Sequence, residues 1–231
     1  MAEKTFVDAD YYRKLVHVVF FAGFKAVIVS KKIPTIDGHF PDYKTVSDYG
    51  EKEFDAIAKD PLMIRNKKKI GACRDNAKEF VAIITANGSF SRYVESFAPR
   101  ASLENVMRLR EDLIRRFGYL SRVTSLHFLM DIGMPVVKPD RTVMRVFSRL
   151  GIIEDERPTE KNIRKVISAA ERVAHDTGEP IRYVDVVFSS HAMMTITGDG
   201  LAQGICLKAH PKCDVCPVTG YCNYYQTHSE L

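Results

Sequence analysis

Four cysteines, at positions 206, 213, 216 and 222, stand within the stretch CLKAHPKCDVCPVTGYC. Their spacing, C-x6-C-x2-C-x5-C, constrains the chain more than any other feature, because thiolates carried on short loops can converge on a zinc ion or an iron–sulfur cluster. Zinc sites made of four cysteines usually show two C-x2-C knuckles, each placing two sulfurs on one ion. Here there is one close pair, flanked by wider loops on both sides. That pattern suits a cubane, whose four irons present separate corners to four separately approaching sulfurs. On spacing alone a cluster stands ahead of zinc, and a structural disulfide pair is third.

The rest of the composition narrows the setting. A chain of 231 residues with 45% hydrophobic and 27% charged residues can bury a core as one large domain or two small ones. No apolar run reaches membrane-spanning length, and MAEKTFVDADYYRKL is too polar for a signal peptide, so a cytoplasmic protein with no membrane partner is expected. Five cysteines in that compartment argue for metal binding or catalysis rather than a disulfide framework. The fifth, Cys73, lies in an apolar helix face and reads as a small core residue. A net charge of +5 agrees with a nucleic-acid partner without requiring one.

Helical periodicity dominates the remainder. Ser102 is placed to cap LENVMRLREDLIRRF, with Gly118 beyond its end. Thr159 starts a helix whose apolar face is Ile163, Val166, Ile167, Ala170, Val173 and Ala174, closed by Gly178. YYRKLVHVVFFAGFKAVIVSKKI and NKKKIGACRDNAKEFVAIITANG carry the same period, and no Asn-Gly hairpin signal separates alternating runs. The fold class expected is all-α.

The cysteine spacing, with the proline of HPKC and the CDVCP that follows, resembles the C-terminal iron–sulfur loop of the endonuclease III branch of the helix-hairpin-helix DNA glycosylases. That resemblance implies a two-lobed, all-helical glycosylase fold with a structural [4Fe–4S] cluster on Cys206, Cys213, Cys216 and Cys222. It also implies a basic loop, with Lys208 and Lys212, beside DNA phosphates. RRFGYLSRVTSLHFLMDIGMPVVKPDRTVMRVFSRLG resembles the family's hairpin, its Gly/Pro loop and its aspartate-led helix. In that likeness Gly118 matches the first hairpin glycine, whose N–H faces a phosphate. Leu120 stands where the second glycine would be. Asp140 matches the catalytic aspartate, which stabilises positive charge on the sugar as the N-glycosidic bond breaks. Lys138 and Arg141 flank it as DNA contacts. Asp140 also suits a plain helix cap, and the two roles are compatible. Arg122 occupies the position of the lysine that forms a Schiff base in bifunctional relatives, and a guanidinium does not readily make that imine. The resemblance therefore implies base removal without strand cleavage.

From about Lys14 to Phe97 the chain is more similar to the 3-methyladenine DNA glycosylase I type, through MIRNKKKIGACRDNAKEFVAI, GSFSRYVESF and AGFKA. That type has a base-contacting glutamate where Ala22 stands, and a tryptophan-lined pocket where this chain has no tryptophan. The expected substrate is double-stranded DNA with a damaged base, an alkylated purine such as 3-methyladenine first. Uracil, deaminated, mismatched or oxidised bases, and a non-catalytic DNA-binding module, are the alternatives. Tyr11, Tyr12, Phe21 and Phe24 are candidates for an aromatic base pocket, against the plain reading that such residues are core. The MIRN stretch corresponds to the loop that fills the gap left by a flipped base. This nominates Ile64, with Arg65, Asn66 and Lys67 beside the backbone, against a simple solvated charge run. The organisation expected is a helical-barrel domain over 21–134, a second lobe of 1–20 plus 135–231, and a monomer.

Overall fold

The computed structural model describes residues 6–193 and 204–228, and every regular element among them is helical. The chain divides into two compact units, the first ending at Met134 and the second starting at Pro135.

The first unit holds nine helices among its described residues: α1 (Asp8–Phe21), α2 (Ala26–Ser30), α3 (Ile33–His39), α4 (Tyr43–Ser47), α5 (Glu51–Lys59), α6 (Lys67–Asn87), α7 (Phe90–Glu95), α8 (Leu103–Arg116) and α9 (Thr124–Asp131). Helix α6 is the long central element. The Asn66 side chain accepts from Lys69 N at its start, and Gly88 at φ 83° ends it. Its buried positions Ile70, Cys73, Ala77, Phe80 and Ile83 recur at helical spacing and meet α1, α4 and α7. Phe80 and Phe90 stack at 4.3 Å at the centre of this core.

Helix α1 belongs to this unit rather than to the second lobe, where residues 1–20 were expected. Its face of Tyr12, Leu15, Val16 and Val19 is fully buried and packs on α6, α7 and α9. The run expected to continue as one helix past Phe21 breaks at Gly23, whose φ of 76° a helix cannot contain, and resumes as the short α2. Helices α8 and α9 form the hairpin, with Ser102 capping α8 through Asn105 N at 3.2 Å.

The second unit holds α10 (Arg141–Arg149), α11 (Glu160–Thr177), α12 (Ile181–His191) and α13 (Asn223–His228) among its described residues. The cysteine segment between α12 and α13 carries two single 3-10 turns, Cys213–Val215 and Thr219–Tyr221. Thr159 Oγ1 accepts from Asn162 N at the start of α11, and Gly178 at φ 70° ends it. Helix α12 packs on both α10 and α11, and α13 packs on α10. No described helix is long and apolar enough to cross a membrane.

Candidate active site

Asp140 is the N-cap of α10, and its two carboxylate oxygens have separate surroundings. Oδ1 accepts from the backbone N–H groups of Thr142 at 2.9 Å and Val143 at 3.1 Å. Oδ2 lies 3.2 Å from Lys138 Nζ, and the side chain is 29% exposed. One oxygen is committed to the helix, while the other points to a cation at the solvent boundary. Pro139 fixes the turn between them, and the backbone N–H of Lys138 donates to Asp185 Oδ1 at 2.8 Å. Asp185 is buried on α12, and desolvation raises its pKa above the usual carboxylate range. Its carboxylate ties down the backbone two residues before Asp140. Arg141 is exposed beside the cap.

In the first unit, Phe24, Ile64, Arg65, Asn66, Lys67 and Lys68 line an open groove of about 500 Å³. Arg65, Lys67 and Lys68 are exposed, and Phe24 is 38% exposed. Ile64, nominated as the gap-filling side chain, is almost fully buried. The exposed apolar residue in this loop is Leu62, at 63%. It rides on a turn where its N–H donates to Asp60 Oδ1 at 2.7 Å, and Asp60 Oδ2 is held by His39 Nε2 at 2.6 Å. Sequence reasoning passed over Leu62. The signal available was Asp60-Pro61, a dipeptide that favours a turn and so an exposed loop.

Behind the groove lies Lys69, buried at the C-terminal end of α1. Its ammonium donates to Val19 O and to Ala22 O, the latter at 2.7 Å. It sits 4.5 Å from the Tyr119 ring and 5.4 Å from the Phe24 ring. Helix-end carbonyls and aromatic faces are the partners a buried cation needs. Burial still lowers its pKa to about 8.

Two expectations change here. Tyr11 and Tyr12 lie in the core: Tyr12 is fully buried with its OH donated to Cys73 O at 3.0 Å, and Tyr11 packs on Phe90. Helical spacing on α1 turns both inward, so neither lines an open pocket. Phe21 is part-exposed and packs on the His127 ring at 5.7 Å, while Phe24 lines the groove. Gly118, read as a phosphate-facing N–H, instead donates that N–H to Asn76 Oδ1 at 2.7 Å and accepts from Asn76 Nδ2 at 3.1 Å. Asn76 is buried on α6 and uses both ends of its amide on this one residue. Tyr119 then takes φ 67°, and Thr124 Oγ1 closes the hairpin on Ser121 N and Tyr119 O, both at 2.7 Å. Arg122 is exposed at the hairpin tip.

All four motif cysteines line one small cavity in the second unit, with Ile205 and Pro211 among the apolar walls. No disulfide joins them. Burial, then the neighbouring thiols, raise the pKa of Cys213. Cys216 Sγ lies 3.8 Å from His191 Nε2, so the last residue of α12 stands beside a motif sulfur. Lys208 is exposed on this loop and Lys212 part-buried. Among the described residues no three His, Cys, Asp or Glu side chains are gathered closely enough to hold one metal ion.

A model of the methyladenine glycosylase family matches residues 3–159. The chain belongs to this family. The family match takes in α1, the Phe24–Lys68 groove, the hairpin and Asp140, and ends before the cysteine loop. Beyond the methyladenine glycosylases, the chain is 25% identical over 158 residues to endonuclease III of Rickettsia conorii, a match spanning 68% of this chain and 62% of that protein. Its fold is similar to that of an endonuclease III trapped covalently on DNA, with a TM-score of 0.57 at 16% identity over 99% of this chain and 90% of the other. It is also similar to 3-methyladenine DNA glycosylase I from Staphylococcus aureus, with a TM-score of 0.50 at 23% identity over 57% and 79%. At these identities the likenesses are of fold: a helix-hairpin-helix glycosylase fold.

Proposed function

We propose that the protein is a DNA glycosylase of base excision repair, acting in the cytoplasm as a monomer on double-stranded DNA with a damaged base. It hydrolyses the N-glycosidic bond of a flipped nucleotide. The observation that carries this reading is Asp140: Oδ1 caps α10, while Oδ2 takes no part in the cap and lies 3.2 Å from Lys138 Nζ. A departing base leaves positive charge on the sugar, and a fixed carboxylate at a helix N-terminus stays ionised to meet it. Lys138 orients that oxygen and, with Arg141, meets the backbone phosphates.

The groove supplies the approach to duplex DNA. Arg65, Lys67 and Lys68 give phosphate contacts, and Leu62 is the apolar side chain exposed to fill the gap in the stack. Phe24 and Phe21 remain as aromatic candidates for the lesion, for which an alkylated purine is proposed first. With Gly118 N–H engaged by Asn76, phosphate binding at the hairpin falls to Arg122 and the start of α9. An arginine at this place makes the enzyme monofunctional.

Cys206, Cys213, Cys216 and Cys222 would hold a [4Fe–4S] cluster. The donor set fits: four thiols around one cavity with largely apolar walls, and the Arg149 guanidinium 3.3 Å from the Cys206 sulfur. The cluster's part is to hold this loop and its Lys208 and Lys212 in shape, outside the chemical step.

The test is a panel of duplexes, each with one defined lesion (N-alkylated purine, uracil, a mismatch, an oxidised guanine), followed by alkali. The proposal expects one lesion class to yield alkali-dependent breaks. DNA binding with no excision of any lesion would instead make the protein a non-catalytic binding module.

A further inference from the structure

Arg149 ends α10, the helix that Asp140 begins, and its side chain is spent on the cysteine segment. Nη1 donates to Leu207 O at 2.7 Å and lies 3.3 Å from Cys206 Sγ, while Nη2 donates to Lys208 O at 3.2 Å. The guanidinium carbon sits 4.3 Å from the Tyr224 ring centroid. The backbone carbonyl of the same residue is 3.4 Å from Cys222 Sγ. One residue thus touches the first and last cysteines of the motif. The neighbouring Arg145 donates to backbone carbonyls, at Cys206 O and Ala192 O.

This placement has a chemical consequence. A metal-binding sulfur is a thiolate, and four of them in a cavity with apolar walls concentrate negative charge away from water. A planar, permanently charged donor stacked on an aromatic ring is suited to meet that charge, because its fork is held in place before the sulfur is deprotonated. Hydrogen bonds and charge at the sulfurs set the potential of an iron–sulfur group, and a donor favours the electron-richer state.

We propose that Arg149 is the positioning residue of the cysteine-lined cavity, compensating the Cys206 thiolate and raising the reduction potential of the group held there. The proposal rests on the cluster reading above. Its carbonyl contacts order the 206–208 backbone, and its sulfur contact tunes the centre.

The experiment compares wild type, Arg149→Lys and Arg149→Met, prepared anaerobically and reconstituted with iron and sulfide. Iron per chain, visible absorbance, reduction potential on an electrode and bleaching in air are measured for each. Wild type is expected to hold about four irons per chain. Arg149→Met at equal iron should show a lower potential and faster bleaching, with Arg149→Lys between the two because it keeps charge but loses the fork. Equal potential and equal bleaching in wild type and Arg149→Met overturn the proposal while leaving the cluster reading intact. Should Arg149→Met not retain iron, Arg149→Lys decides: a potential equal to wild type at equal iron overturns the assignment. Wild type that takes up zinc and no iron overturns the cluster reading, and the assignment with it.

Discussion

Lys69 places a cation in the interior with backbone carbonyls and ring faces as its described partners. Its pKa is about 8 when folded, against an ordinary 10.5. Between those values the unfolded chain keeps a proton that the folded chain has released, so this residue makes stability rise with pH across that window and lowers stability below it. The slope is at most about 1.4 kcal/mol per pH unit. Burial raises Tyr12 and Cys73, which pull the other way at high pH, so the difference from a variant is the clean quantity. Denaturant unfolding at pH 7.5 and pH 10 should show wild type gaining stability relative to Lys69→Met. Parallel behaviour of the two proteins would mean that Lys69 keeps its charge throughout. The residue scale also marks how far sequence reaches. Asp140 was readable as a cap because an acid following proline announces a helix start, and the structure places the capping oxygen there. Tyr12 was not, because an aromatic on a helical stripe looks the same whether it faces core or ligand. Gly118 was misread for a different reason: its partner Asn76 lies 42 residues away, and no local pattern shows that pairing.

At the scale of elements, capping chemistry was the most legible part of the chain. Ser102 and Thr159 start the helices that their positions predict, and Gly178 ends α11 in left-handed geometry. The interruption at Gly23 was less legible, since apolar residues continue past it and the break shows in the backbone, where Gly23 takes φ 76°. The Asp60–Ile64 loop gives a direct prediction. Leu62→Ala should leave thermal stability nearly unchanged and weaken excision from duplex DNA more than from single-stranded DNA, since only the duplex leaves a gap to fill. Ile64→Ala should instead destabilise the fold by about 2–4 kcal/mol, as expected for truncating a buried isoleucine. The reverse pattern would return the gap-filling role to Ile64. Gly151, just past α10, holds φ 78° with an added Cβ colliding with the Asn223 side chain at the start of α13. Gly151→Ala should therefore cost about 1–2 kcal/mol in unfolding experiments through left-handed strain alone. Gly151→Ala combined with Asn223→Ala should regain only the steric part.

Over the whole molecule, the sequence presented a mosaic: an N-terminal two thirds that carries the methyladenine glycosylase match, and a cysteine loop beyond it that does not. Its all-helical class was legible because helical period runs through nearly every segment. The assignment of α1 was not, since which unit a helix completes depends on faces that meet only after folding. The proposed chemistry makes a whole-protein prediction on strand cleavage. With Arg122 in place of an amine nucleophile, product DNA should stay intact until heated with alkali, and borohydride should trap no protein–DNA adduct. A strong adduct would assign lyase chemistry to another amine, with Lys138, 3.2 Å from Asp140, the first to examine.

The most direct measurement is single-turnover excision by wild type and Asp140→Asn on the best substrate from the lesion panel, with binding to an abasic-site analogue followed in parallel. Asparagine caps a helix about as well as aspartate, so the fold and DNA affinity should hold. The carboxylate charge is lost, and with it the ion pair to Lys138, and the rate should fall on the order of a hundredfold or more. For a cationic base, which leaves readily, the fall should be smaller than for a neutral one. Unchanged excision with unchanged binding would reduce Asp140 to a helix cap and contradict the active site proposed for this chain.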